Sequence, residues 1–259
     1  MSRAVKIAMQ SWKGNLYPGH VTAANHPNAG GTHLLDIALI PPVFDNSGKS
    51  IDFFVAARAH HAEIGGVAPG SMPSDSVKLY QEGAAFEQWK TIPHGKFDDE
   101  GIQHHLVDVL GSYPGCSPSR RGGHNHIADL KAQVAANQKG INLIHGLFEE
   151  YRRETFLFYM WAVKETAAIA VEGLLRKTAA KQMGQRPPTA VDYMDEGSRI
   201  QLSVSIGAEK RTAVSDFTGT GHEPFNCLSA PIVITHSAIL YSLRCLIGSD
   251  IWLNEGGEA

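Results

Sequence analysis

The sequence lacks most of the features that assign a function directly. Its 259 residues hold three cysteines, Cys116, Cys227 and Cys245, far apart and without a C-x-x-C pair. An odd count with no secretory signal argues against a disulfide framework and for a reducing compartment. The expected address is therefore cytoplasmic, with the thiols acting as small buried apolar residues. No apolar run approaches the roughly 18 residues of a membrane-spanning helix. The opening MSRAVKIAMQSWKGNL has no signal-peptide core. Lys plus Arg number 23 against 26 Asp plus Glu, a net charge of −3. Such a balance gives no global field for nucleic acid or an anionic membrane, so neither is an expected partner.

Motifs are missing too. No G-x-x-x-x-G-K-[ST] occurs, and no G-x-G-x-x-G opens a helix after a strand, so the chain shows no ATP site of its own. The DFTGT run at 216–220 superficially resembles a phosphate loop, but it leads into His222, Glu223 and Pro224 and reads better as a tight turn. There is no G-x-S-x-G elbow, and no cysteine has a nearby histidine.

Histidine, by contrast, is plentiful. Thirteen are present, five of them between His20 and His61. Histidine is the commonest metal ligand and the ordinary acid–base group near neutral pH. Residues 1–95 read as short strands between turns rich in Gly, Pro and Asn. One apolar run is IALIPPVF (37–44), with Pro41 and Pro42 at its end or on an edge. Another is DFFVAARAH (52–60). The middle predicts two long helices. The first follows Ile127, Leu130, Val134, Ile141, Ile144 and Phe148, with Asn125 as N-cap. The second follows Phe156, Met160, Val163, Ala167, Val171 and Leu174. Residues 181–191 read as a connecting loop. Ile200, Leu202, Val204 and Ile206 alternate with polar residues as a strand, 213–217 is its hairpin partner, and 231–246 is a last helix. The expected fold class is mixed α+β, with a strand and loop part at 1–123, a helical part at 124–180, and a hairpin plus helix at 192–259. No final element follows the last helix, and both ends read as cut.

The main constellation is His33-x-x-Asp36 together with His60-His61-x-Glu63. A divalent ion takes three or four N or O ligands gathered from strand ends or loops, and imidazole with carboxylate is a common set. His33, Asp36 and His60 could supply one face of such a site, with Glu63 behind them or among them. Ordinary turn histidines, with Asp36 in a local hydrogen bond, account for the same residues. His26, inside NHPNAGG, is either a further contributor or part of a turn before Pro27. Glu82 and Asp216 are lone carboxylates, of a kind usually solvated. Arg120, Arg121, His124 and His126 precede the first long helix, where they either hold an anion or form a solvated basic loop.

Several strings together resemble one family. They are NHPNAGGTHLLDIALIPPVF (25–44), ARAHHAEIGGVAPGSMPSDS (57–76), YQEGAAF (80–86), IADLKAQVAANQKG (127–140), VDYMDEGSRIQLSVSI (191–206), DFTGTG (216–221) and LYSLRCLIGSDIWLNEG (240–256). Their order and content are similar to the hydantoinase B/oxoprolinase family over essentially the whole chain, and NHP at 25–27 resembles its 5-oxoprolinase branch. The resemblance implies an ATP-dependent opening of 5-oxo-L-proline to L-glutamate, a reaction of glutathione metabolism. An actin-like A-type ATPase half activates the lactam and the B half hydrolyses it. This chain looks like part of the B half, dependent on the A-type half for ATP and homo-oligomeric in the complete enzyme. Related carboxylases hold a metal, and the matching positions here are His33, Asp36 and His60, with Glu63 or His61 moving protons. Departures at FNCLSAP (225–231), Trp252 and Gly257 imply a fragmentary or decaying copy. An inactive assembly subunit, or an N-methylhydantoinase or ketone-carboxylase relative, are the alternatives.

Overall fold

The computed structural model describes residues 1–70, 72–119, 122–182, 185–207, 212–248, 250–252 and 254–258. The chain forms two compact units, Met1–Arg152 with Asn226–Thr235, and Arg153–Phe225 with His236–Ala259. The fold class is mixed α+β.

The first unit is built on a four-stranded antiparallel sheet of order β5-β2-β1-β6, from β1 (Val21–Ala24), β2 (Asp36–Ile40), β5 (Ala57–His60) and β6 (Trp89–Ile92). β1 is buried throughout, and so are the last four residues of β2. Strands covered on both faces read as continuous apolar runs, which is why 37–40 shows no alternation. The run 37–44 is not one strand. Pro41 has no N–H to give a ladder, so β2 stops at Ile40 and the chain continues as β3 (Pro42–Phe44), paired only with β4 (Ile51–Phe54). The run 52–60 also divides, at Val55 and Ala56, between β4 and β5 (Ala57–His60). Each expected strand is thus two short ones.

Helix α5 (Gly122–Tyr151) covers this scaffold. It begins at Gly122, so Asn125 lies within its first turns and is not the N-cap. Its inward stripe is His126, Leu130, Gln133, Asn137 and Ile141, all buried. The Gln133 amide donates to Ile37 O at 3.1 Å and the Asn137 amide to Leu39 O at 3.1 Å. Further along, Ile141 packs with Val43 and Phe53, joined by Ile144 and Phe148. A main core gathers Leu34, Leu35, Ile37, Leu39, Ile64, Ile102, Leu106, Leu110 and Leu130. Burying each such aliphatic side chain contributes roughly 1.5–3 kcal/mol.

Several helices lie where strands and turns were expected. They are α1 (Ser2–Ser11), α2 (Leu79–Glu82), α3 (Asp99–Gln103), a π-helical turn (His104–Asp108) and α4 (Val109–Gly111). Helix α1 seats Ala4 and Ala8 against Ala38 and Ile40.

In the second unit, α6 (Arg153–Gln182) accompanies a three-stranded antiparallel sheet of order β7-β8-β9. Its strands are β7 (Thr189–Tyr193), β8 (Arg199–Gly207) and β9 (Thr212–Asp216). The expected strand and its hairpin partner are β8 and β9. The segment read as a loop at 181–191 instead holds the end of α6 and the start of β7. Helix α7 (Ile232–Ile247) is the expected last helix. On α6 only Ala167, Val171 and Leu175 are buried, and Met160 and Val163 are exposed. None of the three cysteines is buried. Cys116 and Cys227 are half-buried and Cys245 is exposed.

Candidate functional site

Local structure holds the histidine-bearing loops in place. Asn25, fully buried at the end of β1, donates to Leu34 O at 2.7 Å and Ala84 O at 2.8 Å, and accepts from the Phe86 N–H at 2.8 Å. One amide therefore fastens three chain segments. His26 caps the short 3₁₀ turn Pro27–Ala29, its Nδ1 accepting from the Asn28 N–H at 3.0 Å. That is the turn role open to it in the sequence. At Gly31 a Cβ would lie 1.7 Å from Asn25 O, so the loop that delivers His33 closes only over glycine.

The β2–β5 register then sets Asp36 opposite His60. His60 Nδ1 lies 2.8 Å from Asp36 Oδ1, and the His33 ring stacks on the His60 ring with centroids 5.3 Å apart. The three expected metal ligands, 27 residues apart in sequence from His33 to His60, do share one sheet edge. Burial lowers the proton affinity of His33, an effect that Asp36 opposes and His60 reinforces. Arg58, beside them on β5, donates to Thr32 Oγ1 and Gly30 O at 3.0 Å each and ties the same loop to the strand. The trio stands as a hydrogen-bonded pair with a stacked imidazole. Among the described residues no group of three or more His, Cys, Asp or Glu is arranged to hold a metal ion.

His61 and Glu63 point elsewhere. Successive strand residues face opposite sides, so exposed His60 is followed by His61 at 2% exposure. His61 Nε2 lies 3.2 Å from Gln133 Oε1, and its ring centroid is 5.7 Å from that of His126. The Glu63 hydrogen bonds run inward: Gly65 N–H donates to Oε2 at 2.9 Å and Ser119 Oγ donates to Oε1 at 2.6 Å. Ser119 Oγ is also 2.5 Å from His126 Nε2. Two backbone bonds between Gly66 and Ser117, at 3.0 and 2.8 Å, clamp the segments that carry Glu63 and Ser119. Gly65 and Gly66 are required there. Their φ values are +82° and +108°, and a Cβ would meet Ser117 O at 2.8 Å or Gln81 O at 2.5 Å. Beside Glu63 opens a small cleft lined by Gly65, Gly66, Val67, Pro69, Ser117 and Pro118.

Sequence reasoning placed His126 only in a basic loop and passed over Ser119 and Gln133. Helical spacing from Leu130 reaches both Gln133 and His126, but polar residues on a helix read as its solvent face. Ser119 has no sequence signal at all. Arg120 and Arg121, and the side chain of His124, lie outside the described residues. Glu82 is half-buried, which raises its proton affinity. Asp216 is exposed, and hydrogen bonds from the Thr218 hydroxyl and then the Thr218 N–H lower its proton affinity within the expected tight turn.

The class these features define is a mixed α+β scaffold in which His33, Asp36 and His60 gather beside one antiparallel sheet and Glu63, Ser119 and His126 form a buried polar cluster next to it. Residues 1–257 match hydantoinase B/oxoprolinase, and the chain belongs to that family. It is 46% identical over 256 residues to 5-oxoprolinase of Saccharomyces cerevisiae, covering 99% of this chain and 20% of that protein. It is 42% identical over 271 residues to 5-oxoprolinase 1 of Arabidopsis thaliana, covering 99% and 21%. The chain thus spans about a fifth of the length of these relatives. The crystal structure of ATP-dependent caprolactamase from Pseudomonas jessenii superposes with a TM-score of 0.78 at 20% identity, covering 98% of this chain and 42% of that one. At that identity it speaks for the fold.

Proposed function

We propose that this chain is the ring-opening portion of an ATP-dependent cyclic amide hydrolase that converts 5-oxo-L-proline to L-glutamate, a step of glutathione metabolism in the cytoplasm. The observation that carries the reading is the 46% identity to a protein named 5-oxoprolinase along 99% of the chain. The absence of a phosphate-binding glycine motif fits a division of labour in which a separate A-type ATPase half handles ATP. The complete enzyme is proposed to be homo-oligomeric.

Two imidazoles and a carboxylate at one strand edge are a donor set that divalent ions accept, and the lowered proton affinity of His33 favours the neutral, ligating ring. His33, Asp36 and His60 are the residues proposed to hold such an ion, which would supply Lewis-acid polarisation or an oriented water. Glu63, at the cleft, or the buried His61 is the residue proposed to move protons.

The test mixes the purified chain with an A-type half and follows ATP-dependent glutamate release from 5-oxo-L-proline, with a hydantoin in parallel. Glutamate release that needs both proteins supports the reading, and turnover of the hydantoin alone overturns the substrate. Metal content, measured beside His33→Ala and His60→Ala, checks the ion: stoichiometric metal lost in both variants is expected. Unchanged metal in His33→Ala would sink that assignment.

A further inference from the structure

Ser119 stands between two ionisable groups. Its Oγ is 2.6 Å from Glu63 Oε1 and 2.5 Å from His126 Nε2, while those two atoms are 3.7 Å from each other. Glu63, Ser119 and His126 are 8%, 5% and 1% exposed, so water does not mediate between them as it would at a surface. A hydroxyl carries one proton, and two hydrogen bonds need two. The second proton must sit on His126 Nε2 or on the Glu63 carboxyl.

Both arrangements satisfy the geometry. In one, His126 Nε2–H donates to Ser119 and Ser119 donates to the Glu63 carboxylate. In the other, the Glu63 carboxylic acid donates to Ser119 and Ser119 donates to His126 Nε2. They interconvert when two protons move in the same direction, each across one hydrogen bond. No heavy-atom bond changes, and the total charge is conserved. In a low-dielectric interior the neutral pair and the ion pair are closer in energy than in water, because desolvation penalises the two charges together. Of the three groups, Glu63 is the one that lines the cleft. Among the described residues, the His61 ring also faces His126.

We propose that Ser119 and His126 are positioning residues that pass a proton to and from Glu63, making Glu63 the group that exchanges a proton, at the adjoining water-sized cleft, with the water that opens a cyclic amide. The role in turnover rests on the amide-opening reading above. Opening such a ring with water forms a bond from the water oxygen to the carbonyl carbon and breaks the bond from that carbon to nitrogen. One water proton ends on the nitrogen. A group that accepts a proton and returns it, and finishes as it began, meets that need. Gly65 N–H on Glu63 Oε2 and the backbone bridge between Gly66 and Ser117 hold the carboxyl in register with the hydroxyl.

The experiment is histidine-selective nitrogen-15 NMR of the whole chain. In the wild type, the His126 Nε2 shift is expected between the bare and protonated limits, reporting a shared proton. Glu63→Gln should drive it to one limit. Ser119→Ala should make it insensitive to Glu63→Gln, and Ser119→Thr, which keeps a hydroxyl, should restore the sensitivity. A shift already at one limit in the wild type and unchanged by Glu63→Gln would overturn the relay and leave a structural latch. The wild type and Glu63→Gln decide this even if a Ser119 variant does not fold. Because the readout needs no turnover, a failed relay and a failed amide-hydrolase reading show in different experiments.

Discussion

At the scale of the residue, single polar groups in the interior set more of this fold than their number suggests. Asn25 satisfies two carbonyls and one N–H that would otherwise be buried without partners. Asn25→Ala is expected to cost about 2–4 kcal/mol, measured by urea denaturation, because each orphaned buried group carries its own desolvation penalty. Asn25→Asp should not rescue it, since a carboxylate cannot donate to Leu34 O and Ala84 O. Histidines act in the opposite sense. Burial, then Lys90 and His94, lower the proton affinity of His20, and burial against Phe86 and Trp89 lowers that of His105. The unfolded chain therefore takes up protons at pH values where these folded rings still resist them. Stability present above the ordinary histidine range is lost as pH falls from about 7 toward the lowered folded values. Denaturation midpoints across that window should decline, and His105→Leu should flatten part of the slope.

At the scale of the element, α5 docks through amides as well as through apolar packing. Gln133 and Asn137, one turn apart, reach the carbonyls of Ile37 and Leu39, two residues apart on β2, so the helix can lie along that strand in one register. Gln133→Leu and Asn137→Leu each remove a donor from a buried carbonyl while keeping the volume apolar. Each is expected to destabilise the chain by about 1–3 kcal/mol in thermal or chemical unfolding. Gln133→Leu should also remove the Gln133 Oε1 partner of His61 Nε2. A compensating gain in stability from the added apolar surface would show that the amides serve register alone.

At the scale of the whole molecule, the chain covers about a fifth of each 5-oxoprolinase compared, and the proposed division of labour assigns nucleotide chemistry to a separate half. The isolated chain is accordingly expected to turn over neither ATP nor 5-oxo-L-proline. Measurable ATP hydrolysis by the purified chain alone would contradict the proposed division of labour. The sequence by itself determined the mixed α+β class, the long helices, the β8–β9 hairpin and the pairing of His33, Asp36 and His60 as one candidate set. The class, the helices and the hairpin follow from periodicity and turn residues, which are properties of neighbouring residues, and the candidate set from the ligand chemistry of its side chains. It misplaced Asn125, merged β2 with β3, and put strands or turns where α1 and residues 99–111 are helical, because propensity yields to packing when a segment is short. Only the tertiary structure joined Glu63 to Ser119 and His126, and turned His61 inward while His60 stayed outside. Buried polar residues look like surface residues in a sequence. Their meaning appears only when a partner 56 residues away, as Ser119 is from Glu63, comes within a hydrogen bond.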